Sequence, residues 1–242
     1  VSAVELAAVA GAVLLASLVQ VVAGFGFGLL AVPLMTLAIS PRDAVVVATL
    51  VGVCVNSWQT WHGRRDLERS IARRMTAAAY LGMPIGLWVF LAVDERLLQL
   101  LLGAAVVVAV CLLAARIDLH HVGPGLDLAA GFTSGILNTS VSTNGPPLVF
   151  ALQARRLDPS RFRATISRVF TWSSFGALAL FVGAGRVDRG GLAATGAALP
   201  AMVAGQLAGF PLRRHLHGDR FRVLVLALLA LAGAAAVLGA LA

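Results

Sequence analysis

Apolar runs of about 20 residues recur from one end of this chain to the other, each long enough for a helix to cross the ~30 Å hydrocarbon core of a bilayer. With no water available there, backbone N–H and C=O groups must be satisfied within each segment, which helices do. The expected fold is an all-α polytopic membrane protein. Charged residues are 12% of the 242, about half the usual share of a soluble domain. The formal net charge of +8 does not point to nucleic acid. There is no lysine, and the arginines cluster in short loops at 62–74, 155–163 and 213–222, the distribution of cytoplasmic loops.

Residues 1–39 are too long for one crossing and are interrupted by Gly24, Gly26, Gly28 and Pro33. They read as a broken helix hairpin, either crossing or re-entrant. Full spans are expected at 43–61, 75–93 and 97–115, with Pro84 kinking the second. Residues 116–125 form a linker. A second broken hairpin covers 126–154, crowded with Ser, Thr and Asn and broken at Asn144-Gly145-Pro146-Pro147. Spans at 164–182, 190–212 and 221–242 follow. Ser40-Pro41 and Asp158-Pro159 have the pattern of helix starts. Glu5 without a basic flank reads as mature membrane sequence, not a cleaved signal.

Landmarks recur in the same order in both halves. A Gly break then Pro33 answers an Asn-Gly break then Pro147, and Ser40-Pro41 answers Asp158-Pro159. Gly82 and Gly86 answer Gly205 and Gly209, and Glu95-Arg96 answers Asp219-Arg220. Residues 1–115 and 126–242 therefore read as two repeats, each a broken hairpin plus three spans. With the arginine loops inside, Arg42 and the turn at 94–96 lie outside. The first hairpin then starts and ends outside and the second starts and ends inside, making an inverted repeat.

These motifs resemble the TauE/SafE family of membrane permeases over essentially the whole chain. The residues that carry the resemblance are Gly24, Gly26 and Gly28 with Val32-Pro33; Pro41 with Ala44; the polar stretch ending Gly145-Pro146-Pro147; and Phe162-Arg163-Ala164-Thr165. The resemblance implies a secondary transporter of the cytoplasmic membrane that exports a small sulfur-containing anion, sulfite or an organosulfonate such as sulfoacetate. No cofactor or metal is implied.

Polar groups at membrane depth are costly unless they line a cavity or find partners. On one helix, Ser134, Asn138, Ser142 and Gly145 share a face, flanked by Thr139 and Thr143. Asn144 stands where it caps a helix starting at Gly145-Pro146-Pro147, and such an N-terminus favours an anion. Gly24, Gly26 and Gly28 allow backbone N–H groups to approach the same ligand. Thr49, Gly52, Asn56 and Gln59 form one stripe and Ser167, Thr171 and Ser174 another, which either line a path or fill a bundle interface. Arg168 either reaches to the cytoplasmic surface or attracts substrate there. Gln20 and Gln206 read as packing residues.

An intramembrane enzyme is disfavoured. The five histidines lie at span ends or in loops, and no GxSxG, HExxH or carboxylate pair occurs in a span. Cys54 and Cys111 lack metal or redox spacing and read as packing. A passive anion channel needs the same donors as a carrier and stays open. No carboxylate is expected deep in a span, so proton coupling and uniport both remain.

Overall fold

The computed structural model describes residues 2–63, 66–114, 123–155, 157–215 and 227. Most of the expected span at 221–242, of the loop at 213–222 and of the 116–125 linker lies outside them. The described residues form helices and turns, with no strand among them. They are α1 (Ala3–Ala23), α2 (Phe27–Met35), α3 (Pro41–Gly63), α4 (Arg69–Ala92), α5 (Glu95–Ala114), α6 (Pro124–Val141), α7 (Gly145–Ala154), α8 (Pro159–Gly183) and α9 (Arg189–His215). Helices α1, α3, α4, α5, α8 and α9 are long and apolar enough to cross a membrane.

Local chemistry sets the helix starts. Ser2 and Glu5 form a reciprocal capping box on α1. The hydroxyl of Ser40 accepts from the Asp43 N–H ahead of Pro41. Asp94 and Asp188 accept in the same way at the starts of α5 and α9. Helix α4 starts at Arg69, earlier than the expected span at 75, because arginines end the hydropathic run without ending the helix.

Each hairpin has one long arm and one short arm. At 1.5 Å per residue, α1 and α6 extend about 30 Å, α2 and α7 only about 15 Å. The ends of the second hairpin are clamped. The fully buried carboxylate of Asp127 accepts from Arg74 at 2.9 and 2.7 Å and from Arg155 at 2.9 and 2.8 Å. The start of α4, the start of α6 and the end of α7 therefore lie at one end of the bundle. Arg42 donates to the Val93 carbonyl at 2.6 Å, so the starts of α3 and α5 lie together as well.

Glycines bring the long arms against partners. A methyl group on Gly131 or Gly135 of α6 would meet α4 backbone at Met75 or Ala79. One on Gly82 or Gly86 of α4 would meet α6 at Phe132 or Ile136. Likewise Gly205 and Gly209 of α9 abut α1 at Leu14, Ser17 and Val21. Thus α4 of the first half packs on α6 of the second, as α9 packs on α1. Exchanging the halves exchanges these pairs and also maps the α4–α8 contact onto the α9–α3 contact. Helices α3 and α8 pack on each other at the centre. This pairing is consistent with a repeat of two equivalent halves.

Candidate functional site

Helix α1 ends where Gly24 turns left-handed (φ 85°) and its N–H donates to the Gln20 carbonyl at 2.7 Å. Gly26 (φ 103°) is also left-handed, a region that costs a side chain about 1–2 kcal/mol, and α2 restarts at Phe27. The buried Gln20 side chain holds this break. Its Oε1 accepts from the Phe27 N–H at 2.9 Å and its Nε2 donates to Asn56 Oδ1 at 2.6 Å. Asn56 Nδ2 then donates to Ser174 Oγ at 2.9 Å. One hydrogen-bonded chain runs from the first break through α3 to α8.

The second break is built without glycine at its left-handed position. Ser142 has φ 54° and its N–H donates to the Asn138 carbonyl, while the Thr143 N–H reaches back to Leu137. Ser134 Oγ donates to the Asn144 carbonyl at 2.9 Å and Asn138 Nδ2 to the Ser173 carbonyl at 3.0 Å. The expected continuous stripe through Ser142 and Gly145 is therefore interrupted at Val141. Asn144 holds the N-cap position of α7 but makes no side-chain capping bond.

The two breaks touch. A Cβ on Gly28 would run into the Ser142 carbonyl oxygen. Beside this contact lies a cavity of about 20 Å³ lined by both breaks, by α3 and by α8, room for about one water. None of its lining side chains is ionisable. The N-termini of α2 and α7 both open on it, and each brings roughly half a positive charge. Pro146 and Pro147 lack N–H groups, so α7 contributes mainly its dipole and Gly145. Gln20 takes the Phe27 N–H, leaving those of Gly28 and Leu29 without helical partners. Thr143 is 1% exposed, and its Oγ1 has no hydrogen-bond partner. A buried hydroxyl is rarely left unpaired, and this one lines the cavity.

A second cavity of about 290 Å³ lies toward the arginine-rich end, lined by Gln59, His62, Asp66, Arg163, Ser167 and Phe210 among others. Between the two cavities α3 and α8 form a polar seam: Asn56–Ser174, Thr60–Thr171 at 2.8 Å and a long Ser167–Gln59 contact at 3.4 Å. The two stripes thus fill an interface and border both cavities. Each such pair is worth only about 0.6 kcal/mol in a membrane, weak enough to part and re-form.

Of the candidate residues singled out in the sequence, Gly26, Gly28, Thr49, Gly52, Asn56, Asn138, Ser142, Thr143, Asn144, Gly145 and Ser174 line the central cavity. Seven do not, Ser167 and Thr171 staying in the α3–α8 seam. Gly24 packs against the Arg163 side chain. Gln59 lines the outer cavity. Ser134 pins the break from behind, and Thr139 donates to the Met83 and Gly135 carbonyls at the α4 interface. Arg168 lines a separate cleft. Gln20, read as packing, is buried with both ends of its amide hydrogen-bonded, and it also borders the cavity; its position four residues before Gly24 is the available signal. Asp127 carries no local signal in the sequence, because its partners Arg74 and Arg155 lie far away along the chain.

The family model for the sulfite exporter TauE/SafE matches residues 9–236. A curated relative, described as the probable inner membrane transporter protein TsaS of Comamonas testosteroni, is 31% identical over 115 residues, 47% of this chain and 45% of that protein. The chain thus aligns with less than half of this relative's length. No solved structure matches. With a family model matching nearly its whole length and helices suited to crossing a bilayer repeatedly, this chain is a multi-pass membrane protein belonging to the TauE/SafE sulfite exporter family.

Proposed function

We propose that this protein is a secondary transporter of the cytoplasmic membrane that carries a small sulfur oxyanion or organosulfonate outward, binding it between the two broken hairpins. The observation that supports this most is the central cavity: two helix N-termini, neutral donors, an unpaired buried threonine hydroxyl and no ionisable lining. A sulfonate spreads its charge over three oxygens, which several neutral donors can hold without a salt bridge. Such a site binds modestly, as release requires. The family description and the relative's name both point to transport.

The cavity also favours a carrier over a pore. At about 20 Å³ it is too small for such an anion. Binding must therefore separate the breaks, and the α3–α8 seam is where the structure can yield. The outer cavity, at the arginine-rich end, is the entry from the cytoplasm. Asp127 is engaged by two arginines at the end of the bundle and does not line the central cavity.

Flux into proteoliposomes tests this reading with a panel of sulfite, sulfoacetate, taurine, sulfate and chloride. Saturable, counter-transported flux of a sulfur anion is expected. Chloride moving as fast, without saturation, would replace the carrier with a channel.

A further inference from the structure

We infer that the cleft between the start of α4 and the first half of α8 binds the phosphate of an anionic phospholipid from the leaflet at the arginine-rich end. Arg69 and Arg73, one turn apart on α4, and Arg168 of α8 line this cleft of about 380 Å³ with Trp172. Three guanidinium groups in one cleft repel each other, and among the described residues no carboxylate pairs with them. Glu68 is held by Arg161 at 2.8 Å and Asp127 by Arg74 and Arg155. Among the described residues, no ion pair or hydrogen bond engages Arg69, Arg73 or Arg168, and the buried Nε of Arg168 has no partner.

The rest of the groove decides between a lipid and a free anion. Along the same α4–α8 seam the surface turns aromatic, with Trp172 49%, Phe175 45% and Tyr80 41% exposed. The Tyr80 hydroxyl donates to the Trp172 carbonyl at 2.9 Å, joining the two helices. A cationic notch above exposed aromatic side chains fits an anionic head with an apolar tail, and tryptophan favours that depth of the membrane. A free phosphate would meet only the arginines. The cleft shares no lining residue with the central or outer cavity, so this assignment stands apart from the transport reading.

Native mass spectrometry of the purified protein with phosphatidylglycerol or phosphatidylcholine tests it. Phosphatidylglycerol should stay bound under conditions that strip phosphatidylcholine, and millimolar inorganic phosphate should not displace it. Arg168→Gln should weaken retention about fivefold, and adding Arg69→Gln and Arg73→Gln should reduce it to the phosphatidylcholine level. Equal retention of both lipids by the unaltered protein overturns the proposal without relying on any variant. Full retention by a folded triple variant overturns the site. Displacement by inorganic phosphate replaces the lipid with a soluble anion.

Discussion

The two hairpins reach one shape by different chemistry. The α1–α2 break relies on glycine: Gly24 and Gly26 adopt left-handed backbone, Gly28 lets the partner approach, and one buried side chain, Gln20, ties the restart. The α6–α7 break relies on side chains. Ser142 accepts a left-handed conformation unusual for a non-glycine residue, Ser134 and Asn138 brace it, and Asp127 with Arg155 closes its base. The start of the first hairpin is capped locally, by Ser2 and Glu5. In the proposed transporter the difference amounts to a division of labour: the glycine break would supply close approach and backbone donors, and the polar break a braced frame with the Thr143 hydroxyl.

The largest expected effect tests close approach. Gly28→Val should abolish flux, because its branched side chain collides with Ser142 backbone; normal flux in proteoliposomes would break the picture of touching hairpins. Next is the brace. Asp127→Asn should cost roughly 3–5 kcal/mol by leaving two arginines unpaired, against about 1 kcal/mol for Ser2→Ala in the other hairpin. Thermal unfolding in detergent measures both, and equal losses would erase the contrast. Third, Thr143→Val should weaken substrate affinity by about 1–3 kcal/mol, or roughly 5–150-fold, with little change in stability. Calorimetric titration with the best flux substrate reads this, and unchanged affinity would remove Thr143 from the site. The smallest effect is a pair of opposite signs. Ser142→Gly should relieve left-handed strain and raise stability by up to about 1 kcal/mol, while Gly26→Ala should lower it by about 1–2 kcal/mol. The same sign for both would mean that the backbone conformations at the two breaks are not equivalent.

Helix positions were largely legible because hydropathy reports where a chain can sit in lipid. Their ends were less so: α4 runs through Arg69, Arg73 and Arg74 before its apolar part begins. Both breaks could be read from glycine and proline. Which polar residues face the cavity could not, since helical spacing gives a face but not its neighbour. Thr139 lies one residue from Asn138 and turns to α4 instead. Arg168 shares α8 with the cavity residue Ser174 yet faces another helix. Gln20 was hidden in an apolar run and acquires its role only through contact with Asn56.

The pairing of α1 with α9 has a consequence for how the protein is made. Helix α1 ends at residue 23 and α9 starts at residue 189, a separation that takes roughly 10–30 s to synthesise at about 5–20 residues per second. Through that interval the first hairpin sits in the membrane without the glycine-rich face that will cover Ser17 and Val21. A ribosome stalled before α9 would expose it for longer. The surface of α1 is therefore completed only when α9 is inserted, about 165 residues later.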